Sequence, residues 1–186
     1  MIRAFLAIKI LGSTKEELTQ LQEIFKQTGA NAQWTPKKNL HLTLKFLGDT
    51  EEVKLSILSQ RLSTYLKKVK SFSLQLENVG AFPKIKHPRV VWAGVTTGVE
   101  PLTQLAEQVE AICATTGFKK AERPFHPHLT LGRVRASKGN QRLTKQLTDT
   151  TFQASQITPV NEVVLFQSKL QPDGPVYAPL AKFRLG

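Results

Sequence analysis

The tetrapeptide His-Leu-Thr-Leu occurs twice in the chain, at residues 41–44 and at residues 128–131. Because side chains alternate between the two faces of a β-strand, each copy predicts a strand that buries its leucines and turns its histidine and threonine to the opposite face. The alternation continues past the first copy, where it assigns Lys45 to the polar face and Phe46 to the buried face. Two such strands facing one cleft would present two imidazoles and two hydroxyl groups to a single ligand.

This set of groups suits the cleavage of a phosphodiester bond. The reaction needs a base that deprotonates the attacking water and an acid that protonates the leaving alkoxide, and two histidines with pKa values of about 6.5 can divide these roles. Threonine hydroxyls can donate hydrogen bonds to the non-bridging phosphate oxygens, and a nearby Arg or Lys can stabilise the charge of the transition state. A single His-x-Thr is more often a packed or surface feature, but two of the four histidines of this chain repeat the same pattern.

A metal site is the main chemical alternative. His126 and His128 occupy positions i and i+2, so they share one face of a strand and could both bind zinc. No Cys, Asp or Glu adjoins either motif as a third ligand, and the acidic residues that come into question, Asp49 and Glu122, lie at some distance in sequence. We therefore predict no metal and no other cofactor, and we interpret His126-Pro127 as a turn that positions His128.

The composition favours an anionic partner. Lys and Arg number 26 against 14 Asp and Glu, which gives a formal net charge of +12 and a sequence pI near 10.0. A surface this basic suits RNA or DNA, although lysine-rich surfaces also serve solubility and thermal stability. We find no apolar run long enough to cross a bilayer, no signal peptide, and one cysteine, Cys113, which excludes an intrachain disulfide. We expect a cytoplasmic monomer without a membrane partner, in which Cys113 is buried rather than reactive.

Strands and amphipathic helices follow one another without strict βαβ alternation, and no glycine-rich phosphate loop follows a strand. This pattern predicts an α+β fold with antiparallel sheet, in one domain over residues 1–186. Ser13 and Asp49 are predicted to cap helices, since each is followed three residues later by a Glu. We also expect a turn-rich segment at 80–88, a polar loop or short helix at 136–150, a strand at 152–157 and a turn at 172–175.

Taken together, these features resemble the 2H phosphoesterase superfamily, which is named for two His-x-Thr/Ser-x motifs. Within it, the chain resembles the RNA 2′,3′-cyclic phosphodiesterase family, once called 2′-5′ RNA ligases. The resemblance extends over nearly the whole chain, and every motif position matches. It is carried by the segments 2–8, 39–48, 82–83, 89–95, 125–133 and 165–168, together with Tyr177.

The resemblance implies a bilobal, LigT-like fold, in which two lobes of antiparallel sheet with outer helices are related by a pseudo-twofold axis and flank a central cleft. It implies metal-independent hydrolysis of RNA 2′,3′-cyclic phosphodiester ends to 2′-phosphate ends, with RNA such as tRNA fragments as the partner. On the same basis His41 would be the general acid that protonates the leaving 3′ oxygen, and His128 the base that activates water. Thr43 and Thr130 would hold the phosphate, and Arg133 would add charge beside it. Some relatives also form 2′-5′ linkages in a reversible ligase reaction.

Further residues are candidates for contacts with the substrate. Arg133 falls on the wrong face of its strand by strict alternation, and a bulge at Gly132 would bring it to the side of the histidine. Lys45 lies on the predicted polar face and could meet an RNA backbone phosphate. Phe46 and Trp34 could stack on a terminal base, although large aromatic side chains more often serve burial.

Alternatives to this interpretation stay open at the level of the sequence. The same fold could act on a 2′-5′ oligonucleotide or on a nucleotide cyclic phosphate. A basic RNA-binding module with non-catalytic histidines would show the same charge, and a metal-dependent phosphodiesterase would be silenced by a chelator.

Overall fold

The computed structural model of the protein describes residues 1–135, 140–172 and 174–186. Within these residues the chain forms nine β-strands and four α-helices, and a short 3-10 turn precedes the third strand. In chain order the elements are β1 (Ile2–Lys9), α1 (Gly12–Lys26), β2 (Ala32–Trp34), β3 (His41–Thr50), α2 (Glu52–Leu66), β4 (Phe72–Lys84), β5 (His87–Thr97), α3 (Val99–Thr115), β6 (His128–Val134), α4 (Gln141–Asp149), β7 (Thr158–Val160), β8 (Glu162–Gln171) and β9 (Gly174–Arg184).

The strands form two sheets, one with the order β3-β1-β8-β9 and the other with the order β2-β6-β5-β4-β7. Every pairing within these sheets is antiparallel. The chain leaves the first sheet after β1, enters the second at β2 and returns at β3. Although β3 and β6 lie in different sheets, they approach each other to within 8 Å between Cα atoms. The predicted α+β fold with two lobes of antiparallel sheet is confirmed, and its two motif strands meet at the junction of the lobes.

The helices pack on the outside of the sheets. α2 and α3 contact each other and cover the first sheet, while α1 contacts α4 beside the second. The ring of Phe25 in α1 stacks on Trp34 of β2 at 6.1 Å, so Trp34 packs against the core rather than offering a face to a base. Each fully buried leucine contributes about 1.5–3 kcal/mol to folding. As the 3.6-residue period of the sequence predicts, α2 buries Leu55, Leu58, Leu62 and Leu66.

Both predicted helix caps are wrong. α1 begins one residue before Ser13, whose hydroxyl donates a hydrogen bond to Gln156 Oε1 at 2.9 Å instead of capping the helix. Asp49 lies inside β3, opposite Arg3 of β1, and α2 begins after that strand has ended. In both cases a contact with a distant segment determines the position of a residue whose local pattern favours a cap.

β4 and β5 form a long hairpin where the sequence predicts a turn-rich segment. The two strands pair as far as Lys84 with His87, which leaves residues 85–86 as the turn. Gly80, which the sequence assigns to this turn-rich segment, lies within β4, and the ring of Trp92 occupies the space that a side chain would need there.

The strand predicted at 152–157 is also wrong. A single bridge links Gln153 with Glu77, and the strand that forms is the later β7. Asn78 has a left-handed backbone, with φ of 64°, and its N–H donates to the Phe152 carbonyl oxygen at 2.7 Å. The 152–157 segment therefore follows an irregular part of β4 and cannot build a regular ladder against it.

Two predictions fall partly on residues that the structure leaves undescribed. α4 occupies most of the segment 136–150, in agreement with a short helix, but residues 136–139 lie outside the described residues. Residue 173 of the predicted 172–175 turn lies outside them as well. In the described ranges, every helix is too short or too polar to span a bilayer.

Candidate active site

His41 and His128 are the first residues of β3 and β6, and the two strands hold them in the same way. His41 Nδ1 lies 2.6 Å from the carbonyl oxygen of Asn39, and His128 Nδ1 lies 2.6 Å from that of His126. Because a carbonyl oxygen can only accept, each Nδ1–H donates, and each Nε2 is left to gain or release a proton. Nε2 of His41 is 3.0 Å from Thr43 Oγ1, so the Thr43 hydroxyl donates to the neutral ring.

A β-bulge at Leu44 reverses the alternation predicted for the first motif. Between Thr43 and Lys45, β3 advances by two residues while its partner β1 advances by one. The extra residue turns the side chains that follow it to the other face, so Lys45 is buried and Phe46 is 65% exposed. Lys45 Nζ lies 2.7 Å from the Glu110 carboxylate, away from the cleft. The predicted burial of Phe46 and the predicted position of Lys45 on the polar face are therefore both wrong.

β6 has the equivalent bulge at Leu131. Between Thr130 and Gly132, β6 advances by two residues while β5 advances by one. The bulge that we predicted at Gly132 thus lies one residue earlier, and it turns Arg133 to the face of Thr130. The Leu131 carbonyl oxygen accepts a hydrogen bond from the side-chain amide of Gln22 at 2.7 Å and another from the backbone N–H of Thr35 at 2.8 Å. These bonds fix the bulge from α1 and from the residue that follows β2.

The two bulges make Phe46 and Arg133 structural equivalents. Each is the fifth residue after the histidine of its motif, and each is exposed beyond its bulge. The cleft therefore has an aromatic ring on one wall and a guanidinium group on the other.

A cavity of about 300 Å³ opens between the two motif strands. Lys45 does not line it, and His128 lies just outside it, two residues before Thr130 along β6. A spacing of two strand residues corresponds to about 7 Å. The cavity brings together five of the predicted site residues, namely His41, Thr43, Phe46, Thr130 and Arg133.

Several lining residues have no role that the sequence predicts, among them Arg3, Phe5, Ser168 and Tyr177. They come from β1, β8 and β9, which share a sheet with β3 only once the chain has folded. No local pattern distinguishes them, and the one signal available was their place in segments that carry the family resemblance.

Aromatic rings enclose His41. Phe5 stacks on it with 4.8 Å between ring centroids, and Tyr177 meets it edge-on at 5.3 Å. Burial lowers the pKa of His41 to about 4, although the Asn39 carbonyl opposes this shift and Lys15 adds slightly to it. In the free protein the His41 ring is therefore neutral at pH 7.

His128 lies in a second aromatic enclosure. Phe82 meets its ring edge-on at 5.0 Å, and the ring of His126 lies 5.9 Å away. Burial lowers the pKa of His128 as well, the His126 carbonyl raises it, and the charges of His126 and Arg133 lower it further. Both histidines are thus held in the protonation state of a base until a ligand changes their surroundings.

The cavity favours an anion. Among the residues that the structure describes, its lining includes no Asp or Glu. Arg3 and Arg133 both face it, and within the described part of the chain neither forms an ion pair or a side-chain hydrogen bond. Burial raises the pKa of Tyr177, while the nearby charges of Arg133 and Arg3 oppose this shift, so both guanidinium groups lie within electrostatic range of its hydroxyl.

The residues that would complete a metal site are placed elsewhere. Asp49 lies opposite Arg3 in the first sheet, and Glu122 forms an exposed ion pair with Lys119 at 2.7 Å. Among the residues that the structure describes, no three His, Cys, Asp or Glu side chains converge. Cys113 is buried in α3, as predicted, and burial raises the pKa of its thiol to about 12.

Comparison with known proteins agrees with this geometry. Residues 12–171 match the model of the 2′-5′ RNA ligase superfamily. The RNA 2′,3′-cyclic phosphodiesterase of Methanothermobacter thermautotrophicus is 32% identical, over 99% of both chains. The enzyme of the same name from Methanocaldococcus jannaschii is 34% identical, over 95% of this chain and 96% of that one. The crystal structure of E. coli LigT complexed with 3′-AMP superimposes with a TM-score of 0.79 at 27% identity, over 99% of this chain and 98% of that one. The chain belongs to the 2′-5′ RNA ligase superfamily.

Proposed function

We propose that the chain hydrolyses RNA 2′,3′-cyclic phosphodiester ends to 2′-phosphate ends, with His41 and His128 as its acid–base pair and without a metal. The observation that carries this proposal is the equivalence of the two histidines. Each begins a strand at the lobe junction, each donates Nδ1–H to the carbonyl two residues earlier, and each keeps Nε2 for proton transfer. The names of the relatives support an RNA cyclic phosphate as the substrate.

In the proposed reaction His128 Nε2 accepts a proton from water as the water oxygen bonds to phosphorus. The bond between phosphorus and the 3′ oxygen breaks, and that oxygen takes a proton from His41 Nε2. Thr43 and Thr130 donate hydrogen bonds to the non-bridging oxygens, and Arg133 stabilises their charge. An RNA 5′-hydroxyl in place of water would produce a 2′-5′ linkage, so the same groups could support a ligase reaction.

The acid role requires a proton that His41 lacks in the free protein at pH 7. An anionic phosphate beside Nε2 favours the charged ring, so substrate binding raises the pKa of His41 and supplies the reason for its protonation. The Thr43 hydroxyl, which donates to the neutral ring, is then released to donate to a phosphate oxygen.

Phe46 is proposed to stack on the base of the terminal nucleoside, because its exposed ring lines the cavity beside His41. We further infer that the enzyme acts as a monomer in the cytoplasm, on cyclic-phosphate ends such as those of tRNA fragments. The net charge of +12 supports an RNA partner.

The test is an assay of purified protein with a short RNA that ends in a 2′,3′-cyclic phosphate, with excess EDTA and with added Zn²⁺ in parallel. Product mass and the position of the new monoester are measured. Conversion to a 2′-phosphate in both conditions is the expected result. Conversion that EDTA abolishes would support the metal-dependent alternative, and RNA binding without turnover would support a non-catalytic module.

A further inference from the structure

The cavity extends mainly over one lobe. Three of its lining residues, Thr35, Thr130 and Arg133, come from the side of the second sheet. The others come from the first sheet and from the turn that leads into β3. The cavity therefore runs from the lobe junction across the face of β3, β1, β8 and β9.

The proposed chemistry places the substrate over this same lobe. In phosphoryl transfer the attacking and leaving oxygens lie roughly in line on opposite sides of phosphorus. If His128 activates the water, the 3′ oxygen leaves toward His41. The ribose that carries that oxygen then lies on the side of His41, and the RNA upstream continues from that ribose.

Arg3 lies farther along this path. It is two residues from Phe5 on β1, about 7 Å, and Phe5 stacks on His41. Successive phosphates of an RNA strand are separated by a comparable distance. Arg3 forms no ion pair within the described residues, although its cross-strand neighbour is Asp49. Its charge is thus available to a ligand.

Two unused hydroxyl groups accompany Arg3. Ser168 is paired with Tyr177 between β8 and β9, and both residues line the cavity with Arg3. Within the described part of the chain neither hydroxyl makes a hydrogen bond. A guanidinium group and two hydroxyls, with no carboxylate among the described residues of the lining, suit the non-bridging oxygens of a phosphodiester.

We infer that Arg3, Ser168 and Tyr177 form a second phosphate subsite, which binds the phosphodiester that joins the terminal nucleoside to the one before it. This inference rests on the proposed function and deepens it. The enzyme then prefers the ends of RNA chains over mononucleoside 2′,3′-cyclic phosphates. Arg133 serves the reacting phosphate, and Arg3 serves the phosphate upstream.

The test compares three substrates: a mononucleoside 2′,3′-cyclic phosphate, a dinucleotide with the same cyclic end, and that dinucleotide with an uncharged methylphosphonate linkage. They are assayed with wild type, with Arg3→Ala and with Arg184→Ala as the matched control. Arg184 lies on β9, at the end of the strand remote from Tyr177, opposite Glu162. Its loss removes the same charge from the same sheet.

In wild type, kcat/KM for the dinucleotide should exceed that for the methylphosphonate by at least about tenfold, the scale of a charge-assisted contact. Arg3→Ala should reduce this ratio to near one, whereas Arg184→Ala should preserve it. If the wild-type ratio is near one, the second phosphate subsite is contradicted by the wild-type data alone. An Arg3→Ala protein that keeps the ratio overturns the assignment to Arg3. If wild type hydrolyses none of the three substrates, the proposed function itself fails.

Discussion

His41 and His128 each donate a hydrogen bond to the carbonyl oxygen two residues earlier, but the two rings have different surroundings. His41 lies between Phe5 and Tyr177, whereas His128 lies beside Phe82 and near the charges of His126 and Arg133. Burial lowers the pKa of both histidines. In the proposed acid–base pair, one ring must therefore hold a proton that its surroundings in the free protein disfavour.

This protonation requirement predicts the pH dependence of the free enzyme. A lowered pKa means that each ring binds its proton only at more acidic pH, so the singly protonated pair becomes scarcer as pH rises through neutrality. We expect a bell-shaped profile of kcat/KM, with its maximum below the ordinary histidine pKa of about 6.5. Initial rates at low substrate concentration measure this profile. A profile that is flat from about pH 5 to about pH 9 would contradict the assignment of the pair.

The residues of the two motifs could be predicted from the sequence, because the period of a strand places His41 with Thr43 and His128 with Thr130 before any tertiary contact is known. Lys45 and Phe46 could not, since the bulge that exchanges their faces depends on how β3 pairs with β1. Arg3 could not be predicted either, because it joins the cavity only through the pairing of β1 with β3.

At the scale of single elements, the bulge in β6 depends on close packing against β2. A Cβ atom on Gly132 would lie 2.6 Å from the ring of Trp34, whereas one on Gly12 of α1 would meet nothing within 4 Å. Gly132→Ala should therefore lower the free energy of unfolding by about 1–3 kcal/mol, the usual cost of overpacking. It should also lower kcat/KM by displacing Arg133.

Chemical denaturation of Gly132→Ala and of the control Gly12→Ala tests this expectation. The control should unfold within about 0.5 kcal/mol of wild type, the range of ordinary surface substitutions. Equal stability of the two variants would show that the bulge tolerates a side chain.

A buried ion pair connects β3 to α3. Lys45 has 7% of its side chain exposed, and its Nζ lies 2.7 Å from the Glu110 carboxylate and 2.8 Å from the Lys119 carbonyl oxygen. Glu110→Gln leaves the buried ammonium without its counter-charge, so we expect a loss of about 3 kcal/mol in the free energy of unfolding.

The matched control is Glu122→Gln, which breaks the exposed pair with Lys119 and should cost less than about 1 kcal/mol. Urea unfolding compares the two variants. A cost for Glu110→Gln as small as that of the control would mean that Lys45 contributes little to holding α3.

Elements with a strong internal period could be predicted from the sequence, as the leucines of α2 show. Elements whose limits depend on partners could not. Asp49 has the local pattern of a cap, but pairing with β1 extends β3 past it. The β4–β5 hairpin likewise includes Gly80, Pro83 and Pro88, which are residue types that favour a turn.

At the scale of the whole molecule, the net charge of +12 predicts how binding responds to salt. Each phosphate that Lys or Arg neutralises releases counterions, so affinity for RNA falls as salt rises. Between about 50 mM and about 200 mM salt, KM should rise more for a long RNA than for a mononucleoside cyclic phosphate, with little change in kcat. Steady-state kinetics at the two salt concentrations measure these KM values. An equal rise in KM for both substrates would mean that the net charge serves solubility rather than RNA binding.

The most direct test of the two-histidine mechanism is the single-turnover rate of wild type, His41→Ala and His128→Ala on two substrates. One is an RNA with an ordinary 2′,3′-cyclic phosphate, and the other has sulfur in place of the 3′ bridging oxygen. A thiolate leaves without needing a proton, so it bypasses the general acid but still requires the base. On the oxygen substrate both variants should lose at least about 100-fold in rate.

On the sulfur substrate, His41→Ala should recover to within about tenfold of wild type, while His128→Ala should stay impaired. Rescue of His128→Ala alone would mean that the two roles are exchanged. Near-wild-type rates for both variants on the oxygen substrate would contradict the mechanism.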